Sequence, residues 1–272
     1  MTAPNHSVLA THSVLAFDVL DSTNDEARRR AGAGAAAGTV VWALRQEAGR
    51  GRRGRRWDSP LGNLYCSLIL RPGCAPAAGA QLSLVAALAL GEALEACLVG
   101  HPRPQLKWPN DVLLEGRKVA GILLESEAAG AEHTAWVVVG VGVNVASFPD
   151  GTDYPATSLA CEGGAGFSVG EVLQLFLARF QSWYAQWCRE GLAPVRAAWL
   201  RRAVGLDLPI SVRLHGETIT GTFSGLDDDG ALLLLPVGCG KPRRVSAGDV
   251  FFPWLTNPVV LFKDGGVVVA AR

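Results

Sequence analysis

The segment Gly49-Arg50-Gly51-Arg52-Arg53-Gly54-Arg55-Arg56-Trp57 sets a run of guanidinium groups on a glycine-rich backbone, directly after an apolar, strand-like run. Glycines permit tight turns that aim several backbone N–H groups inward. Arginine adds planar, permanently charged donors that match phosphate or carboxylate in bidentate fashion. The chemistry open to such a loop is to hold an anion. A solvated basic loop is the plain alternative, because most charge runs are surface features.

Other polar islands bear on that choice. Lys107-Trp108-Pro109-Asn110-Asp111 fixes a cation, an amide and a carboxylate in a rigid turn. Lys107 and Asn110 can donate to phosphate oxygens, and Asp111 offers the hard oxygen that magnesium takes beside a nucleotide. Arg117-Lys118-Val119-Ala120-Gly121 places one lysine at the mouth of an apolar strand, where it can bridge two anions, with Gly121 leaving room for close approach. Val139-Gly140-Val141-Gly142-Val143-Asn144 alternates glycine with valine, which leaves one sheet face flat enough for a planar ligand and ends on the amide of Asn144. The spacing Gly49-x-Gly51-x-x-Gly54 also satisfies the dinucleotide fingerprint. That reading requires a helix to begin within the loop, whereas Trp57 to Asn63 is a turn-rich segment leading into another strand.

The elements that must position these groups follow from pattern. Asp21-Ser22-Thr23-Asn24-Asp25-Glu26 before Ala27-Arg28-Arg29-Arg30 gives a cap, early acids and late bases, so a helix starts near Ser22. Thr39 to Leu44 and Leu64 to Leu70 read as strands on either side of the Gly/Arg loop. Gln81 to Val99 has helical apolar spacing with few charges, which predicts a buried helix. Val112 to Leu114, Lys118 to Glu125 and Trp136 to Val145 read as a meander of short strands. Ser168 to Arg202 returns to helix, and its aromatic stripe is core rather than a cofactor box. After Gly205 the chain reads as short strands with turns at His215-Gly216 and Asp227 to Gly230, the pattern of a small barrel. The fold class is therefore α+β, with an all-β module after it.

Composition narrows the function classes. The chain has 272 residues, 49% of them apolar, and zero formal charge, so it buries a substantial core and has no global field toward nucleic acid. Its six cysteines show no CxxC pair or zinc-ligand spacing and read as reduced thiols of a cytoplasmic protein. No run is expected to reach the ~20 apolar residues of a membrane span. The basic cluster lacks the interleaved aromatics of single-strand nucleic-acid binders.

Taken jointly, Asp21-Ser22-Thr23-Asn24, the Gly/Arg loop, Lys107 to Asp111, and Arg117-Lys118-x-x-Gly121-Ile122 followed by Gly140-x-Gly142-x-Asn144 resemble the biotin protein ligase family in residue type, order and spacing. The likeness runs from Phe17 to about Phe252 and includes Gly225 to Leu234, which is similar to the family's C-terminal barrel segment. It implies a class II aminoacyl-tRNA-synthetase-like catalytic domain, with a mixed sheet and flanking helices, over 17–203. A small Src-homology-3-like barrel would span 204–253, a leader 1–16, and a tail with a hairpin signal at Asp264-Gly265-Gly266 would span 254–272.

The resemblance also implies an ATP-dependent ligase. Such an enzyme forms biotinyl-5′-AMP from biotin and MgATP, then passes biotin to one lysine of a biotin carboxyl carrier protein. By position, Ser22, Thr23, Asn24, Gln46, Gly49, Arg50, Lys118 and Gly121 would bind biotin. Arg52, Arg55, Trp57, Lys107, Asn110, Asp111, Lys118 and Asn144 would bind ATP, with Asp111 toward magnesium. Lys118, Arg50 and Arg52 would be the catalytic cations. The residues ahead of the match are too few for a helix-turn-helix fold, so the expected type is monofunctional, without DNA binding. It would be a monomer or homodimer with no membrane partner. A lipoate or octanoate enzyme of the same fold, or a non-catalytic biotin- or nucleotide-binding protein, are the competing readings. The Gly/Arg loop is expected to be mobile without ligand, because its like charges repel and its glycines have entropy to lose.

Overall fold

Leu64 to Leu70 shows how the sequence builds the central layer. Leu64, Cys66, Leu68 and Leu70 join one buried apolar cluster and Ile69 joins another, so this strand is covered on both faces. In the computed structural model, which describes residues 12–98, 103–130, 132–152 and 154–256, it lies within a seven-stranded mixed sheet. The strands are β1 (Ser13–Leu20), β2 (Thr39–Gln46), β3 (Leu64–Leu70), β4 (Gln105–Lys107), β5 (Asp111–Leu114), β6 (Arg117–Ala128) and β7 (Thr134–Val143). Their order is β1-β2-β3-β7-β6-β5-β4, with only the β1–β2 pair parallel.

Helix α1 (Thr23–Gly32) covers one face through Ala27 and Ala31. Its cap is the one expected: the Ser22 hydroxyl accepts the Asp25 N–H at 3.4 Å, with Asp25 and Glu26 in the first turn and Arg29 and Arg30 in the last. The other face carries α2 (Pro76–Ala80), α3 (Leu82–Cys97), α4 (Val169–Glu190) and α5 (Leu192–Leu200). On α4, Phe176, Phe180, Tyr184 and Trp187 form a continuous buried ladder with centroids 5.7 to 5.8 Å apart, so the aromatic stripe is core. The helical stretch is two helices rather than one, because Gly191 at φ 72° ends α4 and starts α5.

The barrel module is a five-stranded antiparallel sheet in the order β11-β10-β9-β8-β12. It comprises β8 (Pro209–Arg213), β9 (Thr218–Leu226), β10 (Leu232–Pro236), β11 (Arg243–Val245) and β12 (Asp249–Phe251), followed by α6 (Pro253–Thr256). The last two strands have three residues each, too short to leave a period in the sequence.

Two sequence expectations change, and a third falls outside the described residues. The leader does not extend to residue 16, because β1 begins at Ser13 and pairs with Thr39. Pro76–Cys97 is apolar and long enough by composition to cross a membrane, with a mean hydropathy of 1.5, contrary to the expectation that no such run exists. That window is 67% buried inside the fold, where it forms the core helix pair α2 and α3. The hairpin signal at Asp264-Gly265-Gly266 lies outside the described residues.

Candidate active site

The four polar islands converge on one cavity of about 550 Å³ between the sheet and the barrel. One end is built from the cap of α1 and the end of β2. Gln46 Oε1 accepts from the Thr23 N–H (2.8 Å) and its hydroxyl (3.1 Å), while Gln46 Nε2 donates to Ser59 Oγ at 2.9 Å. Fully buried Ser67 lies between Thr23 Oγ1 (2.8 Å) and Asn24 Oδ1 (2.6 Å). Asn24 Nδ2 donates to Glu125 Oε2 at 2.8 Å. Ser22, Thr23, Asn24 and Gln46 thus face the cavity with side chains already held, Thr23 and Gln46 by each other, Ser22 by the Asp25 N–H, and Asn24 by Ser67 and Glu125.

Arg50 lies across this end. Its guanidinium donates to Asp25 Oδ1 at 2.5 Å and to Glu125 Oε2 at 3.1 Å. Burial pulls the Arg50 pKa down, but Glu125 and Asp25 outweigh it and raise the net value. Gly49 has a steric role within the loop. It does not line the cavity. Instead, a Cβ there would collide with the Trp57 carbonyl and the Ser59 hydroxyl, so its bareness lets the loop fold back on itself.

The Gly/Arg loop makes a 3₁₀ turn over Arg52–Gly54 and docks on the barrel. Arg52 donates to Asn110 Oδ1 at 3.0 Å and to the Gly248 carbonyl at 3.2 Å. Arg53 and Arg55 donate to Asp249 at 3.1 and 2.8 Å. The expected repulsion among the loop's like charges is therefore offset by carboxylates supplied from Asp25, Glu125 and Asp249, all remote in sequence.

The far end carries the lysines. Asp111 Oδ1 stands 2.6 Å from Lys118 Nζ, and Oδ2 stands 3.7 Å from Lys107 Nζ. Burial pushes the Asp111 carboxyl up, but Lys118 and Lys107, with Arg52 behind them, outweigh it and hold the pKa below its ordinary value. Lys107 is only 7% exposed, with its ammonium 3.7 Å from the centroid of Tyr154. Burial brings its pKa down to about 8 against the support of Asp111. Asn110 Nδ2 donates to the Ile122 carbonyl at 2.6 Å, and Asn144 Nδ2 to the Thr157 carbonyl at 3.0 Å. The Lys118 backbone is pinned by Pro155 and Thr157, which run beside β6.

The flat glycine face has a tenant from the protein itself. The indole of Trp57 lies on it, such that a Cβ at Gly142 would meet the ring at 2.6 Å and one at Gly121 at 3.2 Å, while Asn24 closes over Gly140. Lys118 Nζ sits 5.3 Å from the Trp57 ring centroid. As a metal ligand, Asp111 is already the counter-ion of two ammoniums. Among the described residues no group of three acidic, His or Cys side chains could hold a metal ion. The donor set suits a magnesium that arrives with a nucleotide and takes most of its oxygens from phosphate and water.

Sequence reasoning missed Asp25, Ser59, Ser67, Glu125, Tyr154, Arg213 and Asp249. Asp25 sits within the capping segment and Glu125 closes an apolar strand, so a search for carboxylates to balance the loop would have reached both.

Residues 16–144 match the biotin/lipoate A/B protein ligase family, and residues 205–252 match the biotin protein ligase C terminal domain. The chain is 46% identical over 237 residues to a biotin--[acetyl-CoA-carboxylase] ligase of Paracoccus denitrificans, covering 85% of this chain and 97% of that protein. It is 37% identical to the bifunctional ligase/repressor BirA of Bacillus spizizenii, covering 80% of this chain and 67% of that one. A biotin protein ligase from Aquifex aeolicus, solved in complex with biotin and ATP, superposes with a TM-score of 0.73 at 29% identity, covering 88% and 97% of the two chains. With both halves matched in order and the cavity falling between them, the chain belongs to the biotin protein ligase family.

Proposed function

We propose that the protein is a biotin ligase acting in two half-reactions. A biotin carboxylate oxygen attacks the α-phosphorus of ATP, the bond to the β-phosphate breaks, and pyrophosphate leaves biotinyl-5′-AMP in the site. A lysine amine of a biotin carboxyl carrier protein, that of acetyl-CoA carboxylase or a related carboxylase, then attacks the acyl carbon and AMP leaves. The observation that carries this reading is the single cavity in which a preformed hydrogen-bonding end meets a cationic end.

The residue roles implied by the resemblance are supported by the geometry. Ser22, Thr23 and Gln46 suit the ureido ring, whose burial without partners would cost about 1–3 kcal/mol per polar group. Carboxylate and α-phosphate repel, so fixed cations at their junction lower the barrier. Lys118, held by Asp111, is the principal one, with Arg50 and Arg52 beside it. Lys107, Asn110 and Asn144 face the phosphates, and Trp57 presents its indole to the adenylate. Magnesium would neutralise phosphate charge, with Asp111 the carboxylate nearest to hold it. The Gly/Arg loop, bridged to itself through Arg50 and Arg56, shields the reactive mixed anhydride from water. A cytoplasmic setting belongs to the same proposal, supported by six free cysteines.

The test is pyrophosphate release from MgATP with biotin, lipoate or octanoate as the acid. Release with biotin alone is expected. Release only with lipoate or octanoate would move the protein to the sister enzymes, and none with any acid would leave a binding protein.

A further inference from the structure

The barrel contributes to the cavity through one face of its β8–β12 pair. Arg213 and Asp249 are direct cross-strand partners in that pair, so their side chains share a face and an ion pair between them is the default. It does not form, because the Asp249 carboxylate is turned to Arg53 and Arg55 of the loop and lies 3.8 Å from Arg52. Arg213 instead reaches diagonally to Phe251, with its guanidinium carbon 4.5 Å from the ring centroid.

Among the described residues, Arg213 is thereby the one cation lining the cavity that has no carboxylate partner. Arg50, Arg52, Arg53, Arg55 and Arg56, Lys107 and Lys118 each have one. Arg213 stands toward the lysine end of the cavity. Lys107 Nζ lies 5.9 Å from the centroid of the same Phe251 ring, so the ring ties Arg213 to the lysine end of the site. A guanidinium without a counter-ion there can take up an anion without giving up an existing bond. Its fork suits two phosphate oxygens.

We propose that Arg213 is a further ATP-binding residue, contributed by the barrel, that holds the outer phosphates which leave as pyrophosphate. This rests on the ligase reading above. It gives the barrel a direct part in the first half-reaction, beyond docking the Gly/Arg loop.

The experiment compares the full-length protein with Arg213→Gln by calorimetric titration with ATP, inorganic pyrophosphate and AMP, each with magnesium. Arg213→Gln is expected to weaken ATP and pyrophosphate about tenfold, the scale of one charge-assisted contact, and AMP less than about twofold. The difference shrinks as salt is raised, and Arg213→Lys recovers part of it. Equal weakening of AMP would overturn the proposal, since it would report a disturbed cavity rather than a lost phosphate contact. Unchanged ATP affinity with a raised KM for the carrier protein would also overturn it, and would assign Arg213 to the acceptor. Wild-type protein that binds neither ATP nor pyrophosphate would bring down the ligase reading itself, a result distinct from either of these.

Discussion

Replacing Asp111 by Asn keeps the shape of the side chain and removes the charge between two ammoniums. Lys107 Nζ lies 3.7 Å from Asp111 Oδ2, and Coulomb's law at an effective dielectric of about 20 makes that pair worth about 4 kcal/mol. In full this is about three pK units; water entry, relaxation and the more distant Asp249 recover much of it, and about one unit is the smallest shift we expect. Burial already brings the Lys107 pKa down to about 8, and Asp111→Asn, by removing the charge that supports it, lowers it further. The assay is the KM for ATP between about pH 6 and 9. In the wild type, KM rises as the pH passes about 8 and Lys107 loses its charge; in the variant, that rise begins at least about one unit lower. Turnover also falls, because Lys118 loses the carboxylate 2.6 Å away, so the midpoint of the KM profile rather than the rate is the readout. The same titration acts on stability. The unfolded lysine binds its proton up to about 10.5 and the native one only to about 8, so the native state gains stability as pH rises through that window. An unchanged KM midpoint in Asp111→Asn would refute the argument that Asp111 sustains the charge on Lys107.

Other perturbations separate the parts of the site. Asp249→Asn removes the shared carboxylate of Arg53 and Arg55, and tryptic cleavage of the ligand-free loop should accelerate about tenfold; an unchanged rate would mean the barrel does not restrain the loop. Ser67→Ala leaves Thr23 and Asn24 without their buried hydroxyl, so stability should drop by about 1–2 kcal/mol and the KM for biotin should rise more than that for ATP. Gly142→Val drives a side chain into the Trp57 indole; it should lower stability by about 1–3 kcal/mol and shift tryptophan fluorescence, and a silent spectrum would contradict the packing.

Much of the scaffold was legible because its signals are local. The cap at Ser22, the strand Leu64 to Leu70 and the core helix after Gln81 each follow from residues within one element. The islands that line the cavity were legible for the same reason, since the polar groups of Lys107 to Asp111 and the pair Arg117-Lys118 stand out among apolar neighbours. What escaped was long-range. The carboxylates that hold the Gly/Arg loop come from α1, β6 and β12, and no spacing rule links Arg55 to Asp249. The glycine-flattened face was visible in the alternation of β7, but its occupant, the Trp57 indole, is set by how the loop folds back. Gly49 shows the same limit: the resemblance gave it a ligand contact, while the room it leaves for the Trp57 carbonyl and the Ser59 hydroxyl is visible only in the folded loop.

The central claim, transfer of biotin to a carrier lysine, is tested most directly by intact-mass analysis. A biotin carboxyl carrier domain would be incubated with the protein, biotin and MgATP, then mapped by peptide digestion. The account predicts one biotinyl group on a single lysine, dependent on ATP and abolished by Lys118→Ala. An unmodified carrier, or modification only when lipoate or octanoate replaces biotin, would contradict it.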